Sequence, residues 1–167
     1  GALKSGDQLM ISIETHGARR SRGSNAEKTH HVALSNSTAT ELTNLTGADT
    51  VDLDKLETII QLASDNKVKL AVMDFSCFSG NLLNIKNKNA CLISASGSEQ
   101  YSYAFDGLNL GFMKVPLAIT FGAKFFSKLR KGKNLEDIFL TARAASMGVP
   151  DFPMISTTEG EDVNELI

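Results

Sequence analysis

Short apolar runs alternate along the chain with stretches of helical periodicity. Residues 70–73 follow a charged segment and suit a buried strand of a parallel sheet, and residues 9–13 form a similar run. Between residues 52 and 65, apolar side chains recur at helical spacing, and Asp52 stands where a helix cap is expected. The pattern predicts two parallel strands joined by a crossover helix.

The second half of the chain has two more segments of helical periodicity. One helix is predicted over residues 112–131, with Pro116 in its first turn, and another over residues 135–147, with Asn134 as its N-cap. By contrast, residues 18–36 are polar and basic, and they predict a mobile surface loop over the strand ends. A solvated loop is favoured there over an anion-binding role.

Composition fits one soluble globular domain. The 167 residues are enough for one real core and too few for two ordinary domains. The net charge of −2 and the pI near 5.9 provide no field that favours nucleic acid or a membrane surface as a partner. No apolar run reaches the length that spans a bilayer.

Each of the two predicted parallel strands is followed by a side chain that can take part in catalysis. The first is followed by His16 and Gly17, and the second leads to Cys77, with Gly80 shortly after. Taken singly, a cysteine is most often a small buried hydrophobe and a histidine a surface or satisfied core residue. A cysteine and a histidine at the same ends of two strands, where open α/β sheets bind ligands, are what thiol catalysis requires.

These two strand ends resemble the catalytic motifs of a known family. The sequence Asp-Phe-Ser-Cys-Phe-Ser-Gly around Cys77 and the His-Gly pair at residues 16–17 resemble those of the clan CD cysteine peptidases, which include caspases, metacaspases, legumains and clostripain-like enzymes. The separation of 61 residues between histidine and cysteine is of the kind that this family shows. Residues 90–96 resemble the family's next strand, and residues 153–157 resemble its last core strand.

The resemblance implies an α/β fold, a three-layer caspase-like sandwich in which helices flank a mainly parallel central sheet. The His16 and Cys77 strands are then expected near the centre of that sheet. Family domains carry further strands and helices before the His-Gly strand, so residues 1–167 are expected to be the carboxyl-terminal part of a peptidase domain. A companion chain or an amino-terminal segment would complete the sheet, which would otherwise expose an apolar edge.

The resemblance also implies a cysteine endopeptidase that needs no metal or other cofactor for the chemical step. Cys77 would attack the peptide carbonyl, His16 would move the protons, and the backbone N–H groups of Gly17 and Cys77 would form the oxyanion hole. Two alternatives stay open. One is a catalytically inactive module that binds a partner through the same crevice, and the other is an acyl-transfer or esterase-like thiol enzyme, although no Gly-x-Ser-x-Gly elbow is present.

Specificity is less well defined by the sequence. In relatives, the residue two before the catalytic cysteine faces the primary pocket, and an acid there selects basic side chains; here Phe75 holds that position and Asp74 precedes it. Strand alternation puts Asp74 on the opposite side unless a bulge shifts the register. Ser102 matches the pocket-lining serine of the family, and Asp106 is an acid in the same loop. Arg or Lys before the cleaved bond (P1) is the prediction, with a polar or apolar pocket as competitor.

A basic preference has a corollary, since Arg20 and Arg22 would then be self-processing sites. The adjacent His30 and His31 make a poor metal pair because their side chains diverge, and no zinc-type spacing occurs. Cys91, inside a predicted strand, is expected to be buried and structural. The compartment is open: secreted or periplasmic if a leader was removed, and cytoplasmic otherwise.

Overall fold

The computed structural model describes residues 2–21, 28–33, 50–85, 89–102, 108–109, 114–115, 121–130, 132–146 and 153–156. Its strands are β1 (Gln8–Ile13), β2 (Gly17–Ser21), β3 (Lys28–Ala33), β4 (Thr50–Asp52), β5 (Lys69–Asp74), β6 (Cys91–Ser94), β7 (Leu108–Asn109), β8 (Lys114–Val115) and β9 (Met154–Ser156). Its helices are α1 (Leu53–Asp65), α2 (Phe121–Lys128) and α3 (Leu135–Ala145), with a 3₁₀ helix over Ser79–Asn84.

The main sheet has the strand order β1-β5-β6-β9. β5 pairs in parallel with both β1 and β6, and β9 closes the described sheet as an antiparallel neighbour of β6. The predicted α/β class and the mostly parallel sheet are therefore confirmed. The strand that leads to Cys77 is interior, whereas the strand that leads to His16 is an edge strand among the described residues.

Helices cover both faces of this sheet. β5 contributes side chains to the core on each face, because its successive side chains point in opposite directions. Leu70 and Val72 belong to one core cluster with the buried side of α1. Met73 belongs to the other cluster, which contains the buried residues of α2 and α3. Asp74, the last residue of β5, follows the alternation onto the α1 side, so no bulge shifts the register at the end of this strand.

The helical periodicity before β5 is confirmed by α1. Its buried residues Leu56, Ile60 and Ala63 lie on one side of the helix and pack toward the sheet. Asp52 holds the N-cap position with extended backbone angles, but its side chain makes no capping hydrogen bond. The Asp52 carboxylate bonds His31 instead, at 2.8 Å from Oδ1 to Nδ1.

The prediction of a mobile loop is wrong for residues 18–21 and 28–33, which belong to the antiparallel strands β2 and β3. Residues 22–27, with the predicted cleavage site Arg22, and residues 34–36 lie outside the described residues. β4 extends the pair of β2 and β3 to a three-stranded sheet. The alternation is hidden in the sequence because β3 buries a histidine, His30, on the same side as Val32. A pattern that counts histidine as polar cannot show that alternation.

The helices of the second half are confirmed in part. Asn134 caps α3 as predicted, with Oδ1 accepting the Glu136 N–H at 2.8 Å. The helix predicted over 112–131 is wrong at its start, since Lys114 and Val115 form the short strand β8 opposite β7. Val115 precedes Pro116, and a residue before proline is disfavoured in helical conformation.

Candidate functional site

The Cys77 turn, defined here as residues 75–78, connects the end of β5 to the 3₁₀ helix. It is tied to the end of β6 by buried serines. The Ser79 hydroxyl lies 3.0 Å from that of Ser96 and accepts the N–H groups of Ala95 and Ser96 at 3.2 and 3.1 Å. The Ser96 hydroxyl donates to the carbonyl of Ser76 at 3.2 Å. The candidate nucleophile therefore lies in a turn that buried hydrogen bonds hold in place, which suits a preorganised site.

Phe78, next to Cys77, has a left-handed backbone with φ of 63°. Its N–H donates to the Gln100 carbonyl at 2.7 Å, and its own carbonyl accepts from the side-chain amide of Asn81 at 2.9 Å. A bulky residue in this region is strained and persists only where its surroundings hold it. Its ring lies 4.9 Å from that of Tyr101, which is 67% exposed, so an aromatic pair joins the residue after Cys77 to the residue before Ser102.

The Cys77 thiol is half-buried and lies 3.6 Å from the carbonyl oxygen of Ser102. The structure thus brings together two predicted site residues, Cys77 and Ser102. Asp106 lies outside the described residues. Its role in a pocket stays a prediction.

His16 and Gly17 reach the same place from β1. Gly17 is buried against the Cys77 turn, and a Cβ atom added there would overlap the Cys77 carbonyl oxygen and lie 2.8 Å from the Ser76 hydroxyl. Only glycine allows this approach of the two backbones. The His16 side chain is exposed. The segments that carry the predicted catalytic pair are therefore in direct backbone contact, although they are distant in the chain.

The predicted oxyanion donors are free of competing backbone bonds. Ala33 N–H donates to the His16 carbonyl at 2.9 Å, so the next pair of the β2–β3 ladder, Gly17 with Val32, is a non-hydrogen-bonded one. The N–H of Gly17 consequently points away from β3. The N–H of Cys77 makes no hydrogen bond within the described residues. Two unused N–H groups on touching segments suit an oxyanion site.

A buried polar cluster is formed by His30 of β3 together with Asp74 and Ser76, which shortly precede Cys77 in the chain. His30 Nε2 is 2.8 Å from Asp74 Oδ2 and 3.3 Å from the Ser76 hydroxyl oxygen. Asp74 Oδ1 accepts the Ser76 N–H at 2.8 Å. All three residues are at most 1% exposed. Sequence reasoning found no role for His30, since its partner is 44 positions away and nothing local marks the pairing.

Neither side chain that the sequence placed before the cysteine as a pocket residue faces open space. Both oxygens of the Asp74 carboxylate are occupied inside the buried cluster. Phe75, on the opposite side, packs its ring against Phe121, Phe125 and Phe126 at centroid distances of 5.1 to 6.1 Å. Both side chains therefore pack inside the protein, and neither lines an open pocket.

The second cysteine has the predicted structural setting. Cys91 is completely buried in β6, and burial, followed by the charge of Glu136, raises the pKa of its thiol from 9.0 to about 12. A thiol held neutral is a poor nucleophile. No group of three ligating side chains that could hold a metal ion occurs among the residues that the structure describes.

No known protein-family model matches this sequence, and the chain shows no significant similarity to a curated protein. Within the described ranges, no helix is long and apolar enough to cross a membrane. The function is therefore argued from the geometry of the site.

Proposed function

We propose that the protein is a cysteine endopeptidase with a Cys77/His16 dyad. The observation that carries this proposal is the contact of Gly17 with the Cys77 backbone, which sets the histidine segment against the nucleophile segment. The half-buried thiol and the two unused N–H groups support it. Cys91 is the second cysteine of the chain. Because it is buried and its pKa is raised, it serves as an internal control for the role of Cys77.

The reaction is an acyl transfer in two steps. His16 takes the proton of the Cys77 thiol, and the sulfur attacks the peptide carbonyl, whose oxygen accepts from the N–H groups of Gly17 and Cys77. His16 then gives the proton to the amine, the C–N bond breaks, and a thioester remains. Water, deprotonated by His16, attacks the thioester, and the thiol and a carboxylic acid are released.

A fluorogenic peptide library varied at P1 tests the proposal. The chain and its Cys91→Ala variant should cleave, and Cys77→Ala and His16→Ala should be inactive or nearly so. The Cys91 variant is the matched control because it removes a thiol from the neighbouring strand and leaves the site intact. Cleavage by Cys77→Ala at the rate of the unchanged chain would remove the proposal.

We propose further that the P1 residue is Arg or Lys. With Asp74 buried in the cluster, the acid that selects a basic side chain would be Asp106. Asp106→Asn should then lower kcat/KM for basic substrates and leave those with neutral P1 residues nearly unchanged. A preference for neutral residues in the unchanged chain would contradict this. Intact-mass measurement before and after incubation tests the linked expectation of self-cleavage after Arg20 or Arg22.

The proposal extends to the fold, a caspase-like sandwich whose sheet is completed beside β1 by a companion chain or a preceding segment. β1 has no second described neighbour, and Met10 in the middle of this strand is 42% exposed. An unpaired, partly apolar edge favours association. Size-exclusion chromatography of the isolated chain should therefore show concentration-dependent association, whereas a monomer at every concentration would count against an open edge.

A further inference from the structure

We infer that His30 is a positioning residue for the nucleophile. Acting through Asp74 and Ser76, it holds the Cys77 turn where the N–H groups of Gly17 and Cys77 can bind the oxyanion. The kinetic part of this inference rests on the proposed peptidase function. The geometric part, that His30 fixes the turn, stands on the contacts of the buried cluster alone.

The first step is the Asp74 carboxylate, which joins β5 to the turn. One oxygen accepts the Ser76 N–H and the other is bonded by His30 Nε2, both at 2.8 Å. Asp74 Oδ2 accepts from Nε2 in the tautomer in which Nε2 carries the ring proton, and we assign that tautomer to His30. Because both oxygens are engaged, the carboxylate cannot rotate without losing a buried bond. His30 thereby fixes the acceptor that shapes the turn.

The second step is the Ser76 side chain, which carries the constraint to the site. Its hydroxyl oxygen lies 3.3 Å from His30 Nε2 and 3.4 Å from the carbonyl oxygen of Cys77. The same oxygen lies beside Gly17, where a Cβ atom would be only 2.8 Å away. Ser76 is therefore packed between β3, the nucleophile and the glycine. Displacement of His30 would remove the contact that holds the Ser76 hydroxyl from the β3 side.

The third step is the unused nitrogen of the histidine. His30 Nδ1 is buried and has no hydrogen-bond partner among the residues that the structure describes. A half-satisfied buried polar network is usually less favourable for stability than an apolar side chain of similar size. The residue is consequently poorly explained as a general contribution to the core. It is explained by the single nitrogen, Nε2, that reaches the turn.

Two variants with amide side chains, His30→Gln and His30→Asn, distinguish the roles of the two ring nitrogens of His30. The Gln side chain can place its N–H₂ near the position of Nε2, whereas the shorter Asn side chain places its N–H₂ near Nδ1. His30→Gln should therefore keep kcat within about tenfold of the unchanged chain, while His30→Asn loses about 10²-fold in kcat, the effect of disturbing an oxyanion donor. KM should change less than about threefold in both, because the affected contact forms in the transition state.

His31→Ala is the matched control on the neighbouring position of β3. It removes a histidine that bonds Asp52 on the other side of the strand, away from the Cys77 turn. It should leave kcat and KM nearly unchanged. Equal losses for His30→Asn and His31→Ala, or equal losses for the Asn and Gln variants, would overturn the positioning role and indicate general damage to the hairpin.

Hydrogen exchange supplies a readout that does not need activity. The Ser76 N–H is buried and bonded, so mass spectrometry of a peptide that contains it should show slow exchange in the unchanged chain, in His30→Gln and in His31→Ala, and faster exchange in His30→Asn. If the unchanged chain is inactive yet this exchange pattern appears, the geometric part of the inference holds, and the peptidase proposal fails together with the kinetic part that rests on it. If the chain cleaves peptides but His30→Asn alters neither exchange nor kcat, the inference fails and the peptidase proposal stands.

Discussion

Two histidine–aspartate pairs start from adjacent residues of β3 and end in different surroundings. His30 and Asp74 are 1% and 0% exposed and lie under the Cys77 turn. His31 and Asp52 have the same 2.8 Å separation, but their side chains are 12% and 32% exposed, and they lie where α1 begins. The two pairs have the same chemistry and the same separation. Removal of one partner should nevertheless cost more folding stability in the buried pair, because the group left behind cannot bond to water.

The two cysteines show the same contrast between buried and accessible surroundings on two neighbouring strands. Cys91 is inside β6 with a pKa raised to about 12, whereas Cys77 lies beyond the end of β5 with its thiol half-buried at a loop carbonyl. A thiol in the core is a structural group, whereas a thiol at the carboxyl end of the sheet lies where open α/β sheets bind ligands. Four predictions test these contrasts.

The largest expected effect is on stability. Asp74→Ala should lower the free energy of unfolding by about 3–5 kcal/mol, because it leaves His30 and the Ser76 N–H buried without their partner. Asp52→Ala should cost about 0–1 kcal/mol, since that pair is partly exposed and the Asp52 side chain makes no cap bond. Urea unfolding followed by circular dichroism measures both. Similar losses for the two variants would remove the contrast.

The next largest effect is on activity and concerns Gly17, which contacts the Cys77 turn. Gly17→Ala should lower kcat by about 10²-fold, because the new methyl group would push the Cys77 carbonyl away and separate the oxyanion donors. Gly6→Ala is the control, since Gly6 has a positive φ but open space around it, so it should cost stability and leave kcat unchanged. A Gly17→Ala variant with full kcat would show that the close approach is not needed.

Alkaline pH should reveal the buried thiol. Because the pKa of Cys91 is raised in the folded state, its contribution to stability is complete below pH 9 and is lost as the pH rises toward 12. The loss reaches about 1.4 kcal/mol per pH unit for one proton. Unfolding measured at several pH values should give a shallower slope for Cys91→Ala than for the unchanged chain. Equal slopes would mean that the thiol titrates normally.

The smallest expected effect is that of salt on the histidine pairs. The free-energy loss caused by His31→Ala should shrink between low and high salt, because ions screen a partly exposed pair. The loss caused by His30→Ala should stay the same, since water and ions do not reach that pair. Urea unfolding at two concentrations of NaCl tests this. A salt effect on the His30 variant alone would reverse the assignment.

Helices and interior strands were the most predictable parts of the fold. The periodicity that predicted α1 comes from its packed side, and the Asn134 cap depends on bonds to residues two and three positions ahead. Such signals are local, so one sequence contains them. The hairpin of β2 and β3 was missed because its alternation uses a buried histidine, whose burial depends on a distant aspartate.

The candidate site was predictable to a similar extent. His16, Gly17 and Cys77 were marked by their positions at apolar strand ends, and the structure brings their backbones together. For Asp74, the sequence predicted only the face of the strand on which the side chain lies. Strand alternation gives that direction but does not identify the groups that the side chain meets there. His30 carried no signal of its own.

The sequence by itself determined the α/β class, the helices α1 and α3, the parallel pairing of the β1 and β5 strands, and the two strand ends that carry histidine and cysteine. Only the tertiary structure decided that β2 and β3 form a hairpin, that Asp74 faces His30, and that Gly17 touches the Cys77 turn. The physical reason is range. Periodicity and capping act within a few residues, whereas a buried histidine–aspartate pair and a close backbone approach join segments that meet only after the sheet has formed.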